Sequence, residues 1–418
     1  MFALLSRVYS AFAPPTVEKR KDGVIRFGIL GAAKIAPMAL ILPAKSHPEV
    51  VVHAIAARDR TRAEEFAKKH GIPVVRDSYQ EILDDPDIDA VFIPLPNSLH
   101  YEWAVRSVRA GKHVLLEKPS VNNATEAAIL FGLPQLAKEQ ADAPVVLEAF
   151  HNRFHPAVHK FLTFVSPADV VHAHTDSMVS SWLTAKDNIE FNYAMGGGSM
   201  MMLGTYNFGI LRMVFGADPV ECVACDTHVF GDGVHDRCDT DFAAQFRFPN
   251  GGLGDARSTL RGPLLWKPSE ARVTHREVVL PADDKAGEPL PEGQEKARTR
   301  VVTLHGFIHA VLWHRIDVKD TYVVRNKADG RPLRTWTETQ SHKAYTYRDA
   351  GPEFADAAPA GEPWWMSYRW QLEEFVNRVK GRRTQFWVLG EDSTAQMRMV
   401  DMAYEKSGLG LRPTSEYR

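Results

Sequence analysis

Between residues 24 and 150, short apolar runs alternate with stretches of helical period. VIRFGIL (24–30), VVVHAIAA (50–57), AVFIPLP (90–96), KHVLLEKP (112–119) and APVVLEAF (143–150) have the texture of buried strands. RTRAEEFAKKHG (60–71), YQEILDD (79–85) and SLHYEWAVRSVRAG (98–111) read as helices between them, two of them closing on a glycine, Gly71 and Gly111. Strands separated by helices of about 10–15 residues build βαβ units and hence a parallel sheet.

The texture changes after residue 150. DVVHAHTDSMV (169–179), VECVACDTHVF (220–230), TDFAAQFRF (240–248) and ARVTHREVVL (271–280) alternate apolar and polar residues, as antiparallel strands with one buried face do. Residues 280–300 are rich in Pro, Gly and charge and read as a surface loop. YRWQLEEFVNRVK (368–380) and EDSTAQMRMVDMAYEK (391–406) read as helices. Residues 1–23 stand apart. MFALLSRVYSAFAPP is apolar, carries Arg7 and has no acid before Glu18, so it is either an arm packed on the body or a targeting segment. The chain thus divides into 1–23, 24–150 and 151–418, with the last helices packing back on the first domain.

Composition narrows the function. Over 418 residues, 44% apolar and 24% charged are globular values. Fifty basic against 52 acidic residues leave no excess for nucleic acid or an anionic membrane. Three cysteines build no disulfide framework, and no apolar run is long enough to span a bilayer, so a cytoplasmic protein is expected, with mitochondrial targeting by residues 1–23 as the alternative. Cys222 and Cys225 lie in an alternating strand with no second pair, so no metal is expected.

Gly31, Ala33 and Ala36 fill the positions of a G-x-G-x-x-G turn after the first strand, with Lys34 and Ile35 between the alanines. Such a turn places a dinucleotide pyrophosphate on a helix N-terminus, although a plain strand-to-helix turn would look similar. The second strand ends at Arg58, followed by Arg60 and Arg62, where a guanidinium suits a 2′-phosphate; this points to NADP, with NAD served by Asp59 as the alternative. The fourth strand ends VLLEKPS (114–120), which sets Lys118 at a ligand-binding strand end, preceded by Glu117 and followed by Pro119, whose peptide bond the sequence leaves open between cis and trans.

GILGAAKIA (28–36), Arg58, PLPNSLH (94–100), EKP (117–119), EAFHNRFHP (148–156) and GGGSMMMLGTY (196–206) together resemble the Gfo/Idh/MocA oxidoreductases, and within them the branch of dimeric dihydrodiol dehydrogenases and fungal NADP-linked D-xylose dehydrogenases. The resemblance implies an α/β protein: an N-terminal Rossmann domain plus a C-terminal α+β domain with a large open, mostly antiparallel sheet that makes a homodimer or higher oligomer. It implies hydride transfer between nicotinamide and a small sugar or cyclic diol, D-xylose foremost, with a trans-dihydrodiol, a glycoside oxidised by a tightly held cofactor, or nucleotide binding without chemistry as alternatives. Lys118 matches the family's catalytic lysine and Tyr206 its acid/base, with a phenol expected to be lowered by Lys118. Pro94, Asn97, His100 and Glu117 match the cofactor side of the cleft, and Arg153 its substrate end. Met202 stands where the family carries an acid, and a thioether neither takes a proton nor accepts strongly. Of Met200, Met201 and Met202, at least two are expected in the core. HGFIHAVLWHR (305–315) and EPWWMSYRW (362–370) either line a sugar pocket or pack in the core.

Overall fold

The computed structural model describes residues 2–136, 143–265, 267–281, 290–354, 356–357, 359 and 361–418. Its first sheet is parallel throughout and holds β1 (Ile25–Leu30), β2 (Val50–Ala56), β3 (Val74–Arg76), β4 (Ala90–Ile93), β5 (His113–Glu117) and β6 (Val146–Ala149), in the order β3-β2-β1-β4-β5-β6. Phe27, Ile29, Ile55, Phe92, Leu115 and Leu116 are fully buried, as strands covered on both faces require. Strand order reverses between β1 and β4, and the crevice beyond their C-terminal ends is where such sheets take ligands. The Arg60–His70 helix starts on Asp59, whose carboxylate accepts from the Arg62 N–H, and stops at Gly71 in the left-handed conformation. The edge strand β3 is too short to have shown in the sequence.

The second sheet contains β7 (Val170–Ser180), β8 (Glu221–His228), β9 (Asp241–Arg247), β10 (Leu253–Gly262), β11 (Glu270–His275), β12 (Val278–Val279), β13 (Gln294–His305), β14 (Arg315–Asn326) and β15 (Pro332–His342). Its order is β15-β14-β13-β11-β7-β10-β9-β8, with β12 on β13, and every pair is antiparallel except β7 with β10. The expected loop at 280–300 is corrected in part: its end from Gln294 is strand, and 282–289 lie outside the described residues. Cross-strand polar pairing holds this strand where apolar alternation is weak; both Arg300 nitrogens that face Asp320 donate to its carboxylate at 2.8 Å.

The two halves are joined at several places. The Ser367–Val379 helix lies against the first sheet, with the Phe27 and Phe375 rings 5.6 Å apart. The Gly390–Ser407 helix meets the first domain through Asp401, which accepts from the Ala124 N–H at 2.9 Å. The Phe2–Phe12 helix is packed on the second half: Arg7 donates to the Val311 carbonyl at 3.0 Å and lies 3.8 Å from the Tyr345 ring centre. Among the described residues, no helix is long and apolar enough to cross a membrane.

Candidate active site

The turn after β1 is built for close approach. Gly31 has φ +104°, and a Cβ there would stand 2.9 Å from Leu95 in the loop after β4. The following helix opens with Pro37 at its first turn and runs through Pro37–Ile41 into Leu42–Lys45. Ahead of it, Ala33 donates to Gly31 O and Ala36 to Ala33 O, while the N–H groups of Lys34 and Ile35 find no acceptor among the described residues. Open N–H groups before a helix form an anion site.

The three arginines after β2 separate in role. Arg60 pairs with Glu64 and Asp77, and Arg62 donates to the Ala32 carbonyl at 3.1 Å, tying the glycine turn to the second strand. Arg58 is exposed and has no carboxylate partner among the described residues. Asp59, the residue that would serve NAD, already caps a helix. Free N–H groups at the turn and a free guanidinium at the strand end fit a dinucleotide that carries a 2′-phosphate.

Pro94 is buried where β4 ends. Asn97 and His100 turn inward. The Asn97 amide donates to Gly196 O at 2.8 Å. His100 is fully buried with its ring nitrogens at the Pro119 and Leu95 carbonyls, 2.8 and 2.9 Å away. Two carbonyls favour an imidazolium, but burial dominates and pulls the ring down to about 4. These two side chains clamp the β4 loop to the Gly196 turn and to the turn after β5, and a place for this loop on the cofactor side of the cleft is a proposal.

Lys118 follows β5, and the Lys118–Pro119 peptide is cis. Its ammonium donates to the Met202 carbonyl at 2.9 Å and lies 4.9 Å from the Tyr206 ring centre. Burial lowers its pKa, opposed by Glu117, Glu148 and Glu190. Glu117 accepts from the Lys118 N–H at 3.2 Å, its other oxygen is buried without a hydrogen-bond partner among the described residues, and burial raises it to about 7 against the pull of Lys118. The missing acid at position 202 is thus met by main chain. Met200–Gly204 forms a π-turn ahead of the Thr205–Phe215 helix, and the carbonyl of Met202 holds the lysine. Met200 and Met201 are fully buried, and Met202 is half-buried.

Tyr206 is buried, stacked on Phe150 with ring centres 5.6 Å apart. Its hydroxyl shares a 2.7 Å hydrogen bond with His151 Nε2. Burial, with Tyr368 and Glu117 nearby, pushes the phenol well above its ordinary value. The expected lowering by Lys118 is corrected: the ammonium is engaged by Met202 O and sits over the ring, not at the hydroxyl. His151 Nδ1 meets Ser367 Oγ at 2.7 Å, and its ring lies 4.0 Å from Tyr368 and 5.9 Å from the exposed His309. His151 was not singled out in the sequence, although it stands inside the EAFHNRF motif beside the residues that were.

Arg153 does not point at this cluster with a free guanidinium. It is paired with Asp392, which also binds Arg212 at 2.6 Å, and Phe150 is shared between Arg153 and Tyr206. This internal ion pair gives the buried guanidinium the carboxylate it requires, and the expected substrate contact of Arg153 is a proposal. In 305–315, Phe307, Ala310 and Val311 are core and His309 reaches the site. In 362–370, Trp365 and Trp370 pack together at 4.8 Å, while Ser367 and Tyr368 reach His151. The three cysteines are free thiols; burial raises Cys222 and Cys238 to about 11 and Cys225 further. Among the described residues, no three His, Cys, Asp or Glu side chains are placed to hold a metal.

Comparison with known proteins places residues 25–143 in an oxidoreductase family with an NAD-binding Rossmann fold, and residues 169–265 in the GFO/IDH/MocA C-terminal domain. A D-xylose 1-dehydrogenase (NADP(+)) of Haloferax volcanii is 35% identical over 240 residues, 57% of this chain and 70% of that protein. A trans-1,2-dihydrobenzene-1,2-diol dehydrogenase of Bos taurus is 29% identical over 286 residues, 62% of this chain and 80% of its own length. Coverage of such relatives ranges from 54% to 81% of their length. A 3-ketoreductase from Actinomadura kijaniata, crystallised with NADP and TDP-benzene, shares the fold with TM-score 0.63 at 19% identity, over 90% of this chain and 96% of its own.

Proposed function

The chain belongs to the Gfo/Idh/MocA oxidoreductases and is NAD(P)-dependent, and from that premise we propose that it is an NADP-linked dehydrogenase of a sugar or cyclic-diol hydroxyl. One observation carries this reading: the Lys118 ammonium, held by Met202 O, stands over the ring of Tyr206 beside the crevice. The NADP-linked xylose dehydrogenase relative favours an aldose such as D-xylose, and the bovine relative keeps a trans-dihydrodiol as the second reading.

When bound, the dinucleotide supplies the hydride acceptor. The residues of this chain do the rest. The Lys34 and Ile35 N–H groups hold the pyrophosphate, and Arg58 takes the 2′-phosphate. An ammonium has three N–H donors; one is engaged by Met202 O, which leaves two for the reacting oxygen. Charge stabilisation at that oxygen is the part of Lys118, and removal of the hydroxyl proton that of Tyr206. The free thiols agree with a cytoplasmic protein, and the exposed positions along β14 and β15 are where a second copy of this chain would pack.

Lys118→Ala and Tyr206→Phe test the assignment. Each is expected to lose about 10²–10⁴-fold in kcat while NADPH binding, read by fluorescence, persists. Near wild-type turnover in either variant overturns the assignment.

A further inference from the structure

The Tyr206 phenol poses a difficulty for its own role. It is buried, its pKa is pushed up, and the nearest cation does not touch its hydroxyl. A phenol in that setting is a poor place to leave a negative charge. The hydroxyl is not isolated, however, because His151 Nε2 lies 2.7 Å from it and Ser367 Oγ lies 2.7 Å from the opposite ring nitrogen.

We propose that His151 is the proton-accepting positioning residue behind Tyr206, so that the phenol passes a proton on and never stands as a free tyrosinate. This rests on the reading that Tyr206 moves the hydroxyl proton. The balance is simple. The substrate O–H bond breaks and its proton forms a new O–H bond on Tyr206 Oη. The proton that Tyr206 held breaks away to form N–H on His151 Nε2. The carbinol hydrogen leaves as hydride, with the oxidised dinucleotide as the acceptor. In the reverse direction His151 returns its proton and the phenol protonates the carbonyl oxygen.

The relay uses the tautomer in which Nδ1–H donates to Ser367 Oγ and the Nε2 lone pair faces Tyr206; both partners are hydroxyls able to donate or accept, so the two 2.7 Å contacts accommodate it. Ser367 opens the Ser367–Val379 helix, so this partner is set by a rigid element. The groups that face His151 are Tyr206 from its helix, Ser367 and Tyr368 from another, His309 from the 305–315 segment, Lys118 after β5, and His155 on its own segment. Burial and the neighbouring His309, Lys118 and His155 keep the resting ring neutral, which leaves Nε2 unprotonated, and they disfavour the imidazolium, so the proton is held there only in passing. A second imidazole, that of His309, is stacked on the buried ring at 5.9 Å.

The test is the pH dependence of oxidation in His151→Gln, Ser367→Ala and Tyr206→Phe, with imidazole added to His151→Gly. His151→Gln is expected to lower kcat by about 10–100-fold with KM for NADP unchanged, and to lose an acid limb lying below the ordinary histidine range. That limb is distinct from one set by Glu117, which titrates near 7. Ser367→Ala is expected to shift the limb with a smaller loss, and imidazole to restore His151→Gly at least about tenfold. If Tyr206→Phe is inactive but the limb is unchanged in His151→Gln and imidazole rescues nothing, the relay is wrong and the tyrosine assignment stands. If Tyr206→Phe keeps its turnover, both fall.

Discussion

Arg412 lies only six residues from the last residue of the sequence, yet its guanidinium is fully buried. Nε donates to the Gly197 carbonyl at 2.9 Å, and Nη2 donates to Asp239 at 3.1 Å and to the Tyr404 hydroxyl at 2.9 Å. Asp239 in turn accepts from the Met200 N–H at 2.6 Å. The turn that presents Met202 O to Lys118 is therefore held from behind by this arginine. Arg412→Met keeps much of the volume and removes the fork. It leaves Asp239 buried, with Met200 N–H and the Tyr404 hydroxyl as remaining donors and no cation. Breaking a buried pair in this way costs about 3–5 kcal/mol. Urea denaturation followed by fluorescence is expected to show that loss, with a lower kcat because the Gly197–Met202 segment is no longer fixed. Arg412→Lys, which restores a charge without the fork, is expected to recover part of it. The double variant Arg412→Met/Asp239→Asn is expected to be more stable than the single Arg412→Met, since the stranded charge is gone. A loss below about 1 kcal/mol for Arg412→Met, or a double variant that is simply additive, would refute the reasoning.

Three further outcomes follow from the same geometry. Arg58→Ala is expected to weaken NADPH binding by at least about tenfold and NADH binding little, measured by fluorescence titration; equal losses would remove the 2′-phosphate role from Arg58. Glu117 has a folded pKa of about 7 against an ordinary 4.5, so the folded state holds the proton more tightly. The stability it contributes is complete below the ordinary value and is lost as pH rises through about 7, so Glu117→Gln should gain stability over the native chain between about pH 5 and about pH 8 in urea midpoints. Parallel curves would contradict that. Gly31→Ala places a Cβ at φ +104° against Leu95, and is expected to cost about 1–3 kcal/mol and to weaken NADPH binding; an unchanged melting temperature would show that the turn is looser than it looks.

The parallel domain was readable because its strands are continuous apolar runs, each bounded by a turn or a cap, and Gly71 ends its helix where the pattern placed it. The second sheet was harder. β15 is exposed along most of its length and so carries no buried face to alternate. The start of β13 is held by the Glu295–Arg325 pair and its middle by Arg300–Asp320, charged residues that look like loop composition in one dimension. In the site, Lys118, Met202 and Tyr206 come from motifs, and the structure brings them together. What the motifs could not give is who engages whom. Arg153 is held by Asp392 and His100 by two carbonyls, partners that lie far along the chain or are main chain. His151 becomes visible only once Ser367, more than two hundred residues later, is set against it.

The most direct measurement is NADPH formation by the purified protein from NADP⁺, with D-xylose, D-glucose, other aldoses, inositols and trans-dihydrodiols as substrates, each repeated with NAD⁺ and with Tyr206→Phe. The account predicts turnover on an aldose or a cyclic diol, faster with NADP⁺, and abolished in the phenylalanine variant. Silence across the panel with NADPH binding intact, or turnover that Tyr206→Phe leaves unchanged, would contradict it.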